Sequence, residues 1–255
     1  MSAIVIYEIL HCLVAACLAA WLLCRALVGP ARPTLYVLAA AAACLFLGDA
    51  YWLAHLIIRG APPVIFSACD VAYIGFLLMF STALPRVEPR RLGEYPFAVW
   101  MAVFALLNVV GWMVWTGEWF NNLLWGVPMM VLVMHSAVLV EKELSPARRN
   151  VLGALLALVS ICEAAALAGF AHPALDLLCC VLWALSFLQL VNALKGTGRL
   201  ARLTVPAWAL LTAFCECASF LAQDAVYYGF QVLTMACLVC AAWSAAREGE
   251  ARHAV

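Results

Sequence analysis

The chain has 255 residues, 68% of them apolar and 11% charged, with no net formal charge, and its mean hydropathy is +1.03. Soluble globular domains do not reach such values, and a neutral chain whose basic residues are scattered through short gaps excludes a nucleic-acid surface. Nine apolar segments of about 20 residues, each able to cross a hydrocarbon core about 30 Å thick, use most of the length. They leave no room for a separate soluble domain, so residues 1–255 read as a single integral membrane domain.

In chain order the spans are predicted at 4–27, 34–59, 63–84, 96–116, 119–140, 150–170, 174–194, 203–222 and 225–246. Lipid offers backbone groups no hydrogen-bond partner, so spans of this length must be helices, and no alternating pattern suggests a barrel. The expected fold is an all-α polytopic bundle. The first segment carries Glu8 where a leader peptide would be basic, and its apolar run is too long for one, so it reads as a retained helix.

Basic residues occupy every second gap. Arg25 and Arg32 follow the first span, Arg86, Arg90 and Arg91 the third, Lys142, Arg148 and Arg149 the fifth, Lys195, Arg199 and Arg202 the seventh, and Arg247 and Arg252 the ninth. Arg59 alone lies in the opposite set. Because positive charge is retained on the cytoplasmic side, this alternation predicts an outer N-terminus and an inner C-terminus in a bacterial inner membrane, with the basic gaps near anionic lipid.

The twelve cysteines all fall within apolar spans and read as small buried hydrophobes, including the Cys237-x-x-Cys240 pair. Trp112, Trp115 and Trp119 gather at an outer turn, and Trp100, Trp208 and Trp243 lie near inner ends, as interfacial belts do. Pro33, Pro96, Pro146, Pro173 and Pro206 sit near span boundaries. The second and third spans resemble the sixth and seventh: Gly48-Asp49-Ala matches Cys162-Glu163-Ala, and Asp70 matches Asp176, with Glu216 on the eighth span as a third version. Such a pattern fits a parallel repeat of helix hairpins, and equally a chance likeness between apolar helices.

Asp49, Asp70, Glu163 and Glu216 are the most informative side chains, since an acid within a span is costly and by default marks a function. No Lys or Arg lies at comparable depth. Glu8 and Asp176 lie nearer the outer surface, and Glu118 and Asp224 in outer turns, so eight of fourteen acids lie at mid-depth or further out. That asymmetry predicts an outward-opening, acid-lined cavity. The plainer alternative is that each acid bonds a neighbouring helix, with Ser160 beside Glu163, and Thr212 and Ser219 beside Glu216, in local polar clusters. His11, His55 and His135 read as hydrogen-bonded structural histidines, with Glu8 and His11 on one helix face. Asn108, Asn192 and Gln231 are expected to bridge helices. No metal or cofactor site is expected, no phosphate loop, nucleophile elbow or zinc-hydrolase motif occurs, and no Lys sits within a span for retinal chemistry.

Gly48-Asp49, Trp52, the Pro62-Pro63 loop and Ser67-x-x-Asp70-x-x-Tyr73 resemble the multi-helix membrane input region that precedes diguanylate cyclase or histidine kinase domains in bacteria. Arg148-Arg149, the Glu163 helix and Leu175-Asp176 resemble the second hairpin of the same family, so the likeness covers about residues 34–195. This resemblance implies a sensory or ligand-binding module for a small ligand, lipid or proton, non-enzymatic, with no output domain after Trp243. It would act through a cytoplasmic signalling partner or a homodimer. Asp49, Asp70, Tyr73, Glu163, Asp176 and Gln231 would contact the ligand. A second likeness is to lysoplasmalogenases, through Gly48-Asp49 and Tyr227-Tyr228-x-x-Gln231. It implies hydrolysis of a vinyl ether by paired carboxyls, one protonating the alkenyl carbon and one activating water, with Asp49, Glu163 and Glu216 as the catalytic acids. Asp70 stands where that family has His, and its late Ser-Asp is absent.

Overall fold

The computed structural model describes residues 3–28, 33–64, 66–89, 91, 94–116, 119–167, 173–195, 203–221 and 224–251. Among these residues there are nine α-helices and no strand. They are α1 (Ala3–Val28), α2 (Pro33–Arg59), α3 (Ala68–Ala83), α4 (Pro96–Thr116), α5 (Trp119–Val140), α6 (Pro146–Leu167), α7 (Pro173–Leu194), α8 (Val205–Leu221) and α9 (Asp224–Ala251). A 3-10 turn, Glu141–Glu143, follows α5. Five of the nine, α1, α2, α5, α7 and α9, are long and apolar enough to cross a membrane.

Local chemistry sets the helix ends. Proline occupies the first position of α2, α4, α6 and α7, where its missing N–H would have no intrahelical partner. The third predicted span began at 63, but α3 begins only at Ala68: the Asp70 carboxylate accepts from the backbone N of Ser67 at 2.6 Å and from Ser67 Oγ at 3.1 Å, closing a cap at that point. α6 begins four residues before its predicted span, because Arg148 and Arg149 are polar yet helical. At the far end of α2, Gly60 adopts φ +69° and gives its N–H to the Leu56 carbonyl at 3.0 Å, a left-handed stop that glycine accommodates without strain.

The chain divides into two compact units, one formed by Met1–Leu84 with Val239–Val255 and the other by Pro85–Leu238. In the first, α2 packs on both α1 and α3. The alanine run of α2 supplies Ala39, Ala41 and Ala42 to this core, and α1 supplies Ala15, Leu18, Leu22 and Ala26. Small side chains let such backbones approach closely. In the second, α4 packs on α5 and α6, α5 on α8, and α7 on α6 and α8. Its core holds Phe97, Met101, Phe104, Leu132, Leu156, Leu190 and Phe214.

The outward faces are apolar as well. Leu10, Leu13 and Leu27 on α1, Ile161 on α6 and Leu177 on α7 are all more than half exposed. On a protein surrounded by water such faces would drive association; facing lipid, they cost nothing. Within α5, Pro128 removes one N–H from the ladder, which membrane helices tolerate when neighbouring helices support them. Close by, Gly126 faces Val109 of α4 so tightly that a Cβ there would meet it at 2.5 Å.

Candidate functional site

Asp49 is 3% exposed and is held by side chains from both helices that flank α2. His11 Nδ1 of α1 lies 2.9 Å from its Oδ2, and the Tyr73 hydroxyl of α3 donates to its Oδ1 at 2.9 Å. One carboxylate therefore ties three helices together. The depths agree. His11 lies eight residues into α1 and Asp49 ten residues before the end of α2, about 12 and 15 Å from the same end of the antiparallel pair at 1.5 Å per residue. Tyr73 lies five residues into α3, and its side chain covers the remaining distance.

The neighbourhood of this triad is built to hold it. Gly48 leaves room for the Tyr73 ring, since a Cβ there would lie 2.6 Å from Cε1. Tyr7 stacks on the His11 ring with centroids 5.6 Å apart. Glu8, also buried, interacts electrostatically with both Asp49 and His11. When Asp49 is ionised it accepts, so His11 presents Nδ1–H and Tyr73 presents O–H. The His11–Asp49 contact is then a neutral-donor bond or an ion pair, according to whether the ring carries a second proton.

The second unit contains a related arrangement. Glu163 of α6 accepts from Trp183 Nε1 of α7 at 2.6 Å. The indole is locked edge-on against Phe104, Phe214 and Phe230, with centroids 4.8 to 5.9 Å away. Each of these hairpins thus has an acid on its leading helix that accepts from an aromatic donor on its trailing helix. In α8 and α9 the link is different: Gln231 Nε2 donates to Ser219 Oγ at 2.9 Å, and Ser219 Oγ donates to the Glu216 backbone carbonyl at 2.8 Å. Gln231 bridges two helices as anticipated.

The other expected site residues have local duties. Asp70 caps its own helix, and Asp176 is exposed in the first turn of α7, where negative charge complements the helix dipole. Ser160 and Thr212 bond the carbonyls four residues before them, Leu156 and Trp208, in place of the anticipated carboxylate clusters. His55 and His135 sit on the carbonyls of Ala61 and Pro85 at 2.9 and 2.8 Å. Asn108 bonds Phe104 of its own helix, and Asn192 receives Arg148 on its backbone carbonyl. Trp208 is buried in the core, unlike the interfacial position expected for it. Glu118, and the side chains of Trp112, Trp115, Trp119 and Asp224, lie outside the described residues.

A cavity of about 20 Å³, room for about one water, lies in the second unit against Asn108, Gly126, Met129, Met130 and Cys217. Asn108 Oδ1 is buried and meets no donor among the described residues. Asp49, Asp70, Glu163 and Glu216 are not among the described residues that line it. Among the described residues no three His, Cys, Asp or Glu side chains gather as metal ligands would.

Two participants were not singled out from the sequence as partners of the acids. His11 was visible only as a histidine one turn from Glu8, and Trp183 as an aromatic in an apolar span. The signal for both was depth, shared with Asp49 and Glu163 respectively. No protein-family model, curated protein or solved structure matches the chain.

Proposed function

We propose that the chain is a nine-span protein of the bacterial inner membrane, N-terminus outside and C-terminus inside, that works as a sensory or ligand-binding module. The observation that carries this reading is the buried Asp49 carboxylate held by His11 and Tyr73 from two different helices. A proton, or a polar ligand group, that engages any member of this triad changes what holds α1, α2 and α3 in register. Each interhelical bond within a membrane is worth about 0.6–1.7 kcal/mol, and two of them lost together shift a helix-packing equilibrium about sevenfold or more. That is enough for a response passed to a cytoplasmic partner or to a second copy of the chain.

The proton is the probe that tests this directly. In the full-length protein reconstituted in lipid nanodiscs, amide exchange in residues 4–14 and 66–76, corrected for the intrinsic effect of pH, should change between pH 5 and 8. Asp49→Asn, His11→Gln and Tyr73→Phe should each flatten the change while leaving exchange in α7 and α8 as it was. Three variants with the unaltered profile of the parent would overturn the reading. Release of fatty aldehyde from lysoplasmalogen by the purified protein, lost in Asp49→Asn, would replace it with the hydrolase.

A further inference from the structure

Three cations belong to the stretches where α6 begins and α7 ends, which one hydrogen bond joins. Arg148, in the first turn of α6, gives Nη1 to the Asn192 carbonyl in the last turn of α7 at 3.2 Å. Lys195 follows Asn192 by three residues, one turn on, and is exposed. Arg149 is half-buried and follows Arg148 directly, and its Nε is shielded from solvent with no acceptor among the described residues. Among the described residues no carboxylate lies within ion-pair distance of any of the three. The acids of the preceding turn are engaged elsewhere: Glu143 accepts from Thr204 Oγ1 at 3.3 Å, and Glu141 is buried.

Helix stability does not account for this cluster. Positive charge in the first turn of a helix opposes its dipole, so Arg148 and Arg149 weaken α6. Capping the end of α7 uses one of the five donors of Arg148 and none of Arg149 or Lys195. Position supplies the remaining clue. α7 is long and apolar enough to cross a membrane, and Lys195 follows its last residue, which puts the cluster at headgroup level. One turn deeper, on the α6 face that carries Arg149, Gly153 lets the Trp100 indole lie against the backbone, where a Cβ would meet the ring at 2.5 Å.

We infer that this end of the α6–α7 hairpin binds the phosphate of an anionic phospholipid. Arg148, Arg149 and Lys195 hold the phosphate, and Trp100 lies beside the glycerol and the upper acyl chain. A phosphodiester offers the acceptors that a guanidinium fork matches. A lipid, in preference to a free anion, follows from the apolar helix faces and the interfacial Trp beneath the cations. This site needs neither Asp49 nor a stimulus, so it stands or falls apart from the sensory reading.

The test uses the full chain in a neutral detergent, with phosphatidylglycerol, phosphatidylcholine or inorganic phosphate added, read by native mass spectrometry and by the thermal midpoint. Phosphatidylglycerol should be retained and should raise the midpoint; the other two should do neither. Lys195→Gln should weaken phosphatidylglycerol binding about fivefold, and the triple change Arg148→Gln, Arg149→Gln, Lys195→Gln about a hundredfold. Arg86→Gln, the same charge change at an exposed position elsewhere, should leave binding unchanged. If the triple variant does not fold, the exposed Lys195→Gln set against Arg86→Gln carries the comparison alone. Equal weakening by Arg86→Gln, or equal stabilisation by phosphatidylcholine or inorganic phosphate, would overturn the inference.

Discussion

Replacing Gly48 with alanine puts a methyl carbon 2.6 Å from Tyr73 Cε1 and 2.8 Å from Cδ1. Carbon atoms settle about 3.5–4.0 Å apart, so the ring must retreat by about 1 Å. That retreat carries the Tyr73 hydroxyl, now 2.9 Å from Asp49 Oδ1, beyond the range of a good hydrogen bond. Two costs then add: overpacking at about 1–3 kcal/mol, and a lost interhelical bond at about 0.6–1.7 kcal/mol. Gly48→Ala should therefore destabilise the protein by roughly 2–5 kcal/mol, measured as unfolding free energy in mixed detergent and dodecyl sulfate micelles. In a Tyr73→Ala background the ring is gone, and the same substitution should cost nothing or stabilise by up to about 1 kcal/mol through helix propensity. Such a cycle isolates the pairwise term. An equal cost in both backgrounds would show that the glycine is not there for the tyrosine, and the account of how the triad is assembled would fail.

Trp183→Phe keeps an aromatic ring against Phe104 and Phe214 but removes the N–H given to Glu163. It should cost about 1–3 kcal/mol, and much less in a Glu163→Ala background, by the same unfolding assay; matching costs would contradict the pairing. Gly153→Ala drives a methyl to 2.5 Å from the Trp100 indole and should lower the thermal midpoint, with Trp100→Leu restoring most of the loss; no rescue would mean that the indole is not the obstacle. Gly60→Ala meets no atom within 4 Å, yet φ there is +69°. Its expected cost of about 1–2 kcal/mol is purely conformational, and Gly60→Asn should cost less; if alanine proved neutral, the left-handed stop would not be limiting.

The helices were legible because their starts are written in residues with a single strong preference: Pro33, Pro96, Pro146 and Pro173 each open a helix close to where hydropathy placed a span. The misplaced starts have a common cause. Hydropathy locates apolar surface, whereas a helix begins where its first N–H groups find acceptors; Ser67 and Asp70 supply these for α3, five residues after the apolar run begins. The site was half legible. Asp49 stood out as an acid without a basic neighbour, whereas His11 was read only with Glu8 on its own helix; matching depth could have linked the two, but depth leaves a side chain free to point in any direction around its helix. Only packing brought together residues 38 apart in the chain. Asp70 drew attention as an acid within a span and Asp176 as one nearer the outer surface, whereas their places in the first turns of α3 and α7 suit a capping or dipole role.

The His11–Asp49 bond also bears on how the chain enters the bilayer. A lone aspartate at the centre of an inserting helix costs about 2.5–3.5 kcal/mol, and α2 meets that cost during synthesis, before Tyr73 exists. The imidazole of α1 emerges first, so it can accompany the carboxylate across the translocon if the two helices leave as a hairpin. An interruption between them, such as a long linker inserted among residues 29–32, would strand the acid at its most vulnerable moment, and the damage would register as failed integration well before any loss of a mature protein's activity.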